Sequence, residues 1–129
     1  MSIHVEIVTP SSIAHEGDCE MVSAPGLLGE FGVLDHHAQT LAVTQAGVVT
    51  MQTGDQVIKF VVGPGFAEVG AGRMTLLVDE CESADGIDKA AAQSELDAAF
   101  AELATVNIDG EAGHQAQNKA LLAQARLKV

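Results

Sequence analysis

The chain changes texture abruptly after the run VDECES at positions 78–83. Between Ile3 and Val78, short runs alternate apolar and polar residues with a period of two, and glycine-bearing turns separate them. Beyond the break, an alanine-rich stretch carries the spacing of an amphipathic helix. A period of two puts successive side chains on opposite faces of a strand, whereas a helical period lays one stripe along a cylinder, so no single kind of element satisfies both. The expected division is a β domain over residues 1–84 and a helical hairpin over residues 85–129.

Within the first part, IHVEI sets Ile3, Val5 and Ile7 against His4 and Glu6. VIKFVV groups Ile58, Phe60 and Val62, and RMTLLV groups Met74, Leu76 and Val78. Turn signals at Pro25-Gly26, Gly54-Asp55, Gly63-Pro64-Gly65 and Gly70-Ala71-Gly72 have the spacing of an antiparallel sandwich or barrel, not of βαβ units. About eight to ten short strands are expected. In the second part Ala92, Leu96, Ala99, Phe100 and Leu103 form the stripe of a first helix, which Asp85 or Asp88 can cap. NIDGEAG supplies a turn, and HQAQNKALLAQARLKV makes a second, shorter helix. Alanine lets the two helices approach closely but buries little area, so the hairpin needs something to dock on.

The chain has 129 residues, 47% of them apolar, enough for one domain or one domain with an appendage. With four Phe and no Trp or Tyr, its core is built from Val, Leu, Ile and Ala, and platforms for base stacking are nearly absent. Eighteen acidic against six basic residues give a formal charge of −12, which repels phosphates and anionic headgroups and disfavours nucleic acid as a partner. No apolar run has the length of a membrane span, and MSIHVEIVTP has neither the basic nor the apolar region of a secretion signal, so a soluble, unexported chain is expected. Cys19 and Cys81 belong to no CxxC pair and are expected as reduced thiols of a cytoplasmic protein.

Motifs for chemistry fail on inspection. There is no GxxxxGK[ST], and GPGFAE has Glu68 where the third glycine of GxGxxG would stand. His36 and His37 are adjacent, and in extended chain their rings point to opposite sides, which suits surface histidines better than one chelated ion. Glu80 and Glu82 flank Cys81 and raise its thiol pKa, the reverse of what a nucleophile needs. No catalytic, cofactor-binding or metal-ligating residue is assigned. What remains unusual is LLGEFGVL, where Leu27, Leu28, Phe31, Val33 and Leu34 sit among glycines and not on an alternating strand. Either a bend drops Phe31 and Leu34 into the core, or the run is an apolar patch bordered by Glu30, Asp35, His36 and His37, the composition of a protein contact.

The segments Val8-Thr9-Pro10, Gly17 with EMVSAPG (20–26), GEFGVL (29–34), His37-Ala38, GPGFAEV (63–69), MTLLVDECE (74–82) and Ile87-Asp88 run in order along essentially the whole chain. As a set they resemble the epsilon subunit of F-type ATP synthases. The resemblance implies an all-β sandwich of about ten strands followed by a C-terminal α-helical hairpin, with no catalysis of its own and no cofactor. It implies gamma-subunit and c-ring partners met through Leu28, Gly29, Glu30, Phe31, Gly32, Val33, Asp35, His36 and His37. It also implies a hairpin that folds on the sandwich or reaches toward the alpha/beta head, with Asp88, Lys119, Arg126 and Lys128 as its regulatory residues, and a place on the cytoplasmic face of the bacterial inner membrane, peripheral to it. The chain departs from the family in IDKAAA, where Ala91 replaces the arginine of nucleotide-binding versions, and in the few basic residues of the second helix. ATP binding and strong inhibition of hydrolysis are therefore not expected. Asp35, Gln39 and Pro64 also depart from the family pattern, losing two prolines and gaining one. The competing readings are a stand-alone β-sandwich protein-binding module and a small thiol or metal enzyme.

Overall fold

The computed structural model describes residues 2–34, 38–107 and 109–129. Ten strands precede two helices: β1 (Ile3–Val8), β2 (Ile13–Cys19), β3 (Met21–Gly26), β4 (Gly29–Val33), β5 (Thr40–Thr44), β6 (Gly47–Thr53), β7 (Gln56–Val62), β8 (Gly65–Gly70), β9 (Arg73–Val78) and β10 (Cys81–Ser83), then α1 (Lys89–Leu103) and α2 (Glu111–Lys128). The strands run β10-β7-β6-β3-β5-β8-β9-β1-β2, with β4 attached to β3. Every pairing is antiparallel except β1 with β9. β3 joins the two halves of the sandwich: Met21–Ser23 pair with β6, while Gly26 pairs with Thr44 of β5.

The alternation read from the sequence decides what lies inside. Ile3, Val5, Ile7, Val22, Val33, Val49, Val62, Val69, Met74 and Leu76 form one buried cluster with Phe60 and Val78. Ile58 shares the phase of Phe60 and Val62 but is 44% exposed, lying nearer the β6–β7 turn than either. Cys19 is buried and Cys81 half-buried, both as free thiols. Burial first, and the neighbouring carboxylate second, push each thiol pKa upward, Asp18 acting on Cys19 and Glu82 on Cys81. Neither is poised as a nucleophile.

In the hairpin, Asp88 caps α1, its carboxylate accepting the Ala91 backbone N–H at 3.1 Å. Ala92, Leu96 and Ala99 are buried as the stripe requires, but Phe100 is 51% exposed. Two corrections concern α2. It starts at Glu111, not His114, and its 18 residues make it longer than the 15-residue α1. Residues 111–113, read as the end of the turn, instead form its first turn, and Gly113 is tolerated there because it is buried, packing overriding a local propensity of about 1 kcal/mol. Leu96, Ala99, Ala120 and Ala123 form a second core, packed with Leu103 and Leu127 and separate from that of the sandwich.

At Gly65, where β8 lies between β5 and β9, an added Cβ would collide with the Leu77 carbonyl oxygen and crowd the Val78 Cα at 2.9 Å. Both obstacles are backbone, so relief requires the strands to part. Gly65→Ala is expected to lower unfolding stability by about 1–3 kcal/mol or more, read as a fall in denaturant midpoint at unchanged m-value. An unchanged midpoint would contradict this close approach.

Candidate functional site

The glycine-studded run is a hairpin, not an irregular loop. Gly26 pairs with Gly29, leaving Leu27 and Leu28 as a two-residue connection between β3 and β4. Gly29 takes φ 131°, a backbone state that side chains rarely adopt. Leu28 projects from the tip with its side chain fully in solvent, and Leu27 is 60% exposed. Phe31 packs on the edge of the sandwich core, against Gly26, where an added Cβ would come within 2.8 Å of the ring. Leu34 is exposed, so of the two residues expected to drop inward only Phe31 does so. Val33 also corrects the expectation: its side chain is wholly buried, and it supports the tip from behind without offering a contact surface. Gly29, Glu30 and Gly32 are exposed. Asp35, His36 and His37 lie outside the described residues.

Beside the tip lies a surface that sequence inspection missed. Val43 of β5 stands opposite Phe66 of β8, Phe66 opposite Leu77 of β9, and Leu77 opposite Val8 of β1. These residues occupy the outward phase of their strands, and Val43, Phe66 and Leu77 are 47–51% exposed. Directly opposed residues of adjacent strands lie close enough to touch, so the four side chains form a continuous apolar row. The Leu27 N–H donates to the Val43 carbonyl at 3.0 Å, which joins this row to the tip. On the other half of the sandwich α2 packs against β6 and β7, and Val61, in the outward phase there, is 1% exposed. One outer face is thus covered by the chain's own hairpin, and the other is left open. The signal was present as Leu77 after Leu76 and as Phe66 in the polar phase of its strand, but the row exists only once four strands are laid side by side.

Two basic residues of α2, Arg126 and Lys119, are paired with the chain's own acids. Arg126, whose side chain is 20% exposed, pairs with Glu82, with Glu95 of α1 at 2.5 Å and with Glu80 at 3.5 Å. Burial pulls its pKa down, but the bond to Glu82 and the fields of Glu82, Glu95 and Glu80 outweigh this and leave it raised. Arg126 therefore ties both helices to the segment around β10. Lys119 lies 3.8 Å from Glu102 across the hairpin. Lys128 is brought to the tip: with Leu121 and Ala125 it lines a cleft of about 220 Å³ that Pro25 and Glu30 close from the other side. Asp88 stands apart from all three, as the cap of α1.

A β-sandwich that exposes one apolar outer row and an apolar tip is built for docking onto another protein, and among known families this architecture has a match. Residues 2–84 match the family described as "ATP synthase, Delta/Epsilon chain, beta-sandwich domain". An "ATP synthase epsilon chain" of Magnetococcus marinus is 35% identical over 127 residues, covering 98% of this chain and 93% of the relative. An "ATP synthase epsilon chain 2" of Syntrophotalea carbinolica is 32% identical over 127 residues, covering 98% and 92%. The chain belongs to the ATP synthase epsilon chain family. Its fold recurs in a chain of the Euglena gracilis mitochondrial ATP synthase, solved as OSCP/F1/c-ring, with a TM-score of 0.82 at 20% identity over 96% of this chain and 78% of that one. It recurs again in the central stalk and c-ring of Tetrahymena thermophila mitochondrial ATP synthase, with a TM-score of 0.64 at 14% identity over 99% and 96%.

Because the two cores are separate, seating of the hairpin depends on α2 against β6 and β7 and on Arg126. Arg126→Ala strands three carboxylates near one another and is expected to destabilise the docked hairpin by about 1–3 kcal/mol, between the values for exposed and buried pairs. Amide exchange in α2 should accelerate while that in β1 and β9 stays slow. Equal acceleration everywhere would mean that the clasp is not local.

Proposed function

We propose that the chain is a non-catalytic central-stalk subunit of a proton-translocating ATP synthase, coupling a ring of c subunits and a gamma subunit to the catalytic head. The observation that carries this reading is the open apolar row Val43-Phe66-Leu77-Val8 continuing into the fully exposed Leu28. Family membership supplies the context, and the titles of the structures similar in fold name a c-ring, one of them also the central stalk.

In this proposal the row takes the gamma subunit, which would cover it as α2 covers the opposite half. The tip, Leu28 to Gly32, takes the ring, with Glu30 offered to polar or basic groups of its loops; Asp35, His36 and His37 follow directly in sequence. Among the described residues no helix is long and apolar enough to cross a membrane, and the protein is proposed to reach the cytoplasmic face of the bacterial membrane through its partners. Residues 1–84 and 85–129 would act as two units, the second regulatory. With Arg126 engaged by Glu80, Glu82 and Glu95, and Lys119 near Glu102, the helices have little positive charge free to seek acidic groups of an alpha/beta head, which supports weak restraint of hydrolysis.

Phe66→Glu, placing a charge in the centre of the row, is expected to weaken co-purification with gamma by tenfold or more, about the loss for a central interface residue. Glu30→Lys and Leu28→Asp should leave the fold intact, since both side chains are exposed, and should lower proton-driven ATP synthesis in membranes. A cross-linker on Glu30→Cys should capture a c subunit. Undiminished synthesis with all three substitutions would refute the assignment of these surfaces. Removing residues 88–129 should preserve synthesis and change hydrolysis little; a large rise in ATPase rate would refute weak restraint.

A further inference from the structure

The face that carries the apolar row at one end carries a polar cluster at the other. In the β1–β2 ladder Glu6 stands opposite Glu16, and His4 opposite Asp18. Across the parallel β1–β9 ladder stand Thr75 and Arg73. The His4 ring is held at both nitrogens, Nδ1 lying 2.7 Å from Asp18 and Nε2 2.9 Å from Glu16. One ligand atom each of His4, Glu6 and Glu16 all lie within 4.8 Å of one another. The only cation that β9 brings to Glu6 among the described residues is Arg73, at 3.7 Å.

These contacts are unequal in chemical meaning. Asp18 takes the Nδ1 proton and so fixes the ring's orientation, leaving Nε2 directed at Glu16 with Glu6 close by. A histidine whose far nitrogen is bonded to a carboxylate is the usual support of a metal-ligating imidazole. We propose that His4, Glu6 and Glu16 bind one divalent transition cation of the zinc type, through Nε2 and one oxygen from each carboxylate, with Asp18 orienting the ring and water completing the coordination.

The donor set decides the class of ion. One imidazole with two carboxylates suits zinc-like ions, whereas calcium and magnesium prefer shells made of oxygen. Metal–ligand bonds of about 2.0–2.2 Å in tetrahedral geometry require donor atoms nearer together than 4.8 Å, so the ligands must close in. The ladder need not move for this: Glu16 has half its side chain in solvent and Glu6 about a quarter, and glutamate rotamers can swing inward from a fixed backbone. When Nε2 donates to Glu16, a proton occupies the metal's place, and metal entry sends that proton to solvent. Two carboxylates then face the ion, with Asp18 behind the ring, against one guanidinium. The ligands come from two strands joined by register, which is why the sequence showed no metal spacing.

The test is titration of the full chain, freed of metal by chelation, with zinc chloride alone, followed by calorimetry and by thermal melting. One equivalent should bind and raise the melting temperature. His4→Gln should abolish binding, and Asp18→Asn should weaken it by roughly 10- to 100-fold. Glu16→Gln alters a half-exposed side chain on an edge strand, keeps the fold, and should remove the thermal shift. Arg73→Ala should tighten binding, because a competing positive charge leaves Glu6. No binding to the wild-type chain, or binding that survives both His4→Gln and Glu16→Gln, would overturn the site. So would zinc lost on replacing His36 and His37 but retained in His4→Gln.

Discussion

Period-two alternation in a sheet of ten strands commits one side of every residue pair to the interior and leaves the other to whatever lies outside. In this protein the interior is settled mainly by aliphatic residues gathered around Ile3, Val5, Met74 and Leu76, with Ser23 and Thr44 the buried polar side chains among the described residues. The outward side is where the molecule becomes specific. Under α2 it is apolar and covered; along Val43, Phe66, Leu77 and Val8 it is apolar and open; along His4, Glu6, Glu16 and Asp18 it is charged. A slip of one residue in any ladder would exchange these faces with the core, so the register that stabilises the sandwich also places its surfaces.

The hairpin obeys a different balance. Its buried residues are mostly alanine and leucine, and alanine contributes little apolar area, so helix packing alone gives modest stability. Arg126 supplies direction where area is lacking, because a planar guanidinium can satisfy several carboxylates at once. The same interaction is screened by salt more readily than the sandwich core, which makes the hairpin the more labile part of the chain.

Much of the architecture could be read in the sequence, since alternation and turn glycines marked β1, β7 and β9, and Asp88 with its alanine stripe marked α1. What escaped did so for physical reasons. In β4, glycines fill two of five positions, and glycine carries no hydropathic sign, so Glu30-Phe31-Gly32-Val33 did not register as alternating. Gly113 looked like a turn because intrinsic propensity carries no information about the packing that accommodates it. The apolar row, the Arg126 clasp and the His4 cluster depend on contacts between strands and helices distant in sequence, above all the parallel β1–β9 pairing, which no turn announces. The exposure of Leu28 was legible because an apolar side chain beside turn glycines has no place on an alternating strand that would bury it.

A subunit that transmits torque must deform less than the shaft turns, and the distribution of cores bears on this. The apolar row lies on β5, β8, β9 and β1, and the inward side chains of β1, β8 and β9 (Ile3, Val5, Ile7, Ala67, Val69, Met74, Leu76 and Val78) belong to the buried cluster. A load applied to Phe66 or Leu77 would therefore be resisted by ladder hydrogen bonds and by a close-packed interior, not by loops. The hairpin, with its own core and its ionic clasp, packs on β6 and β7 of the other half of the sandwich, away from that face. In the proposed role this separation lets coupling be stiff while regulation remains adjustable, two properties that a single continuous core would set against each other.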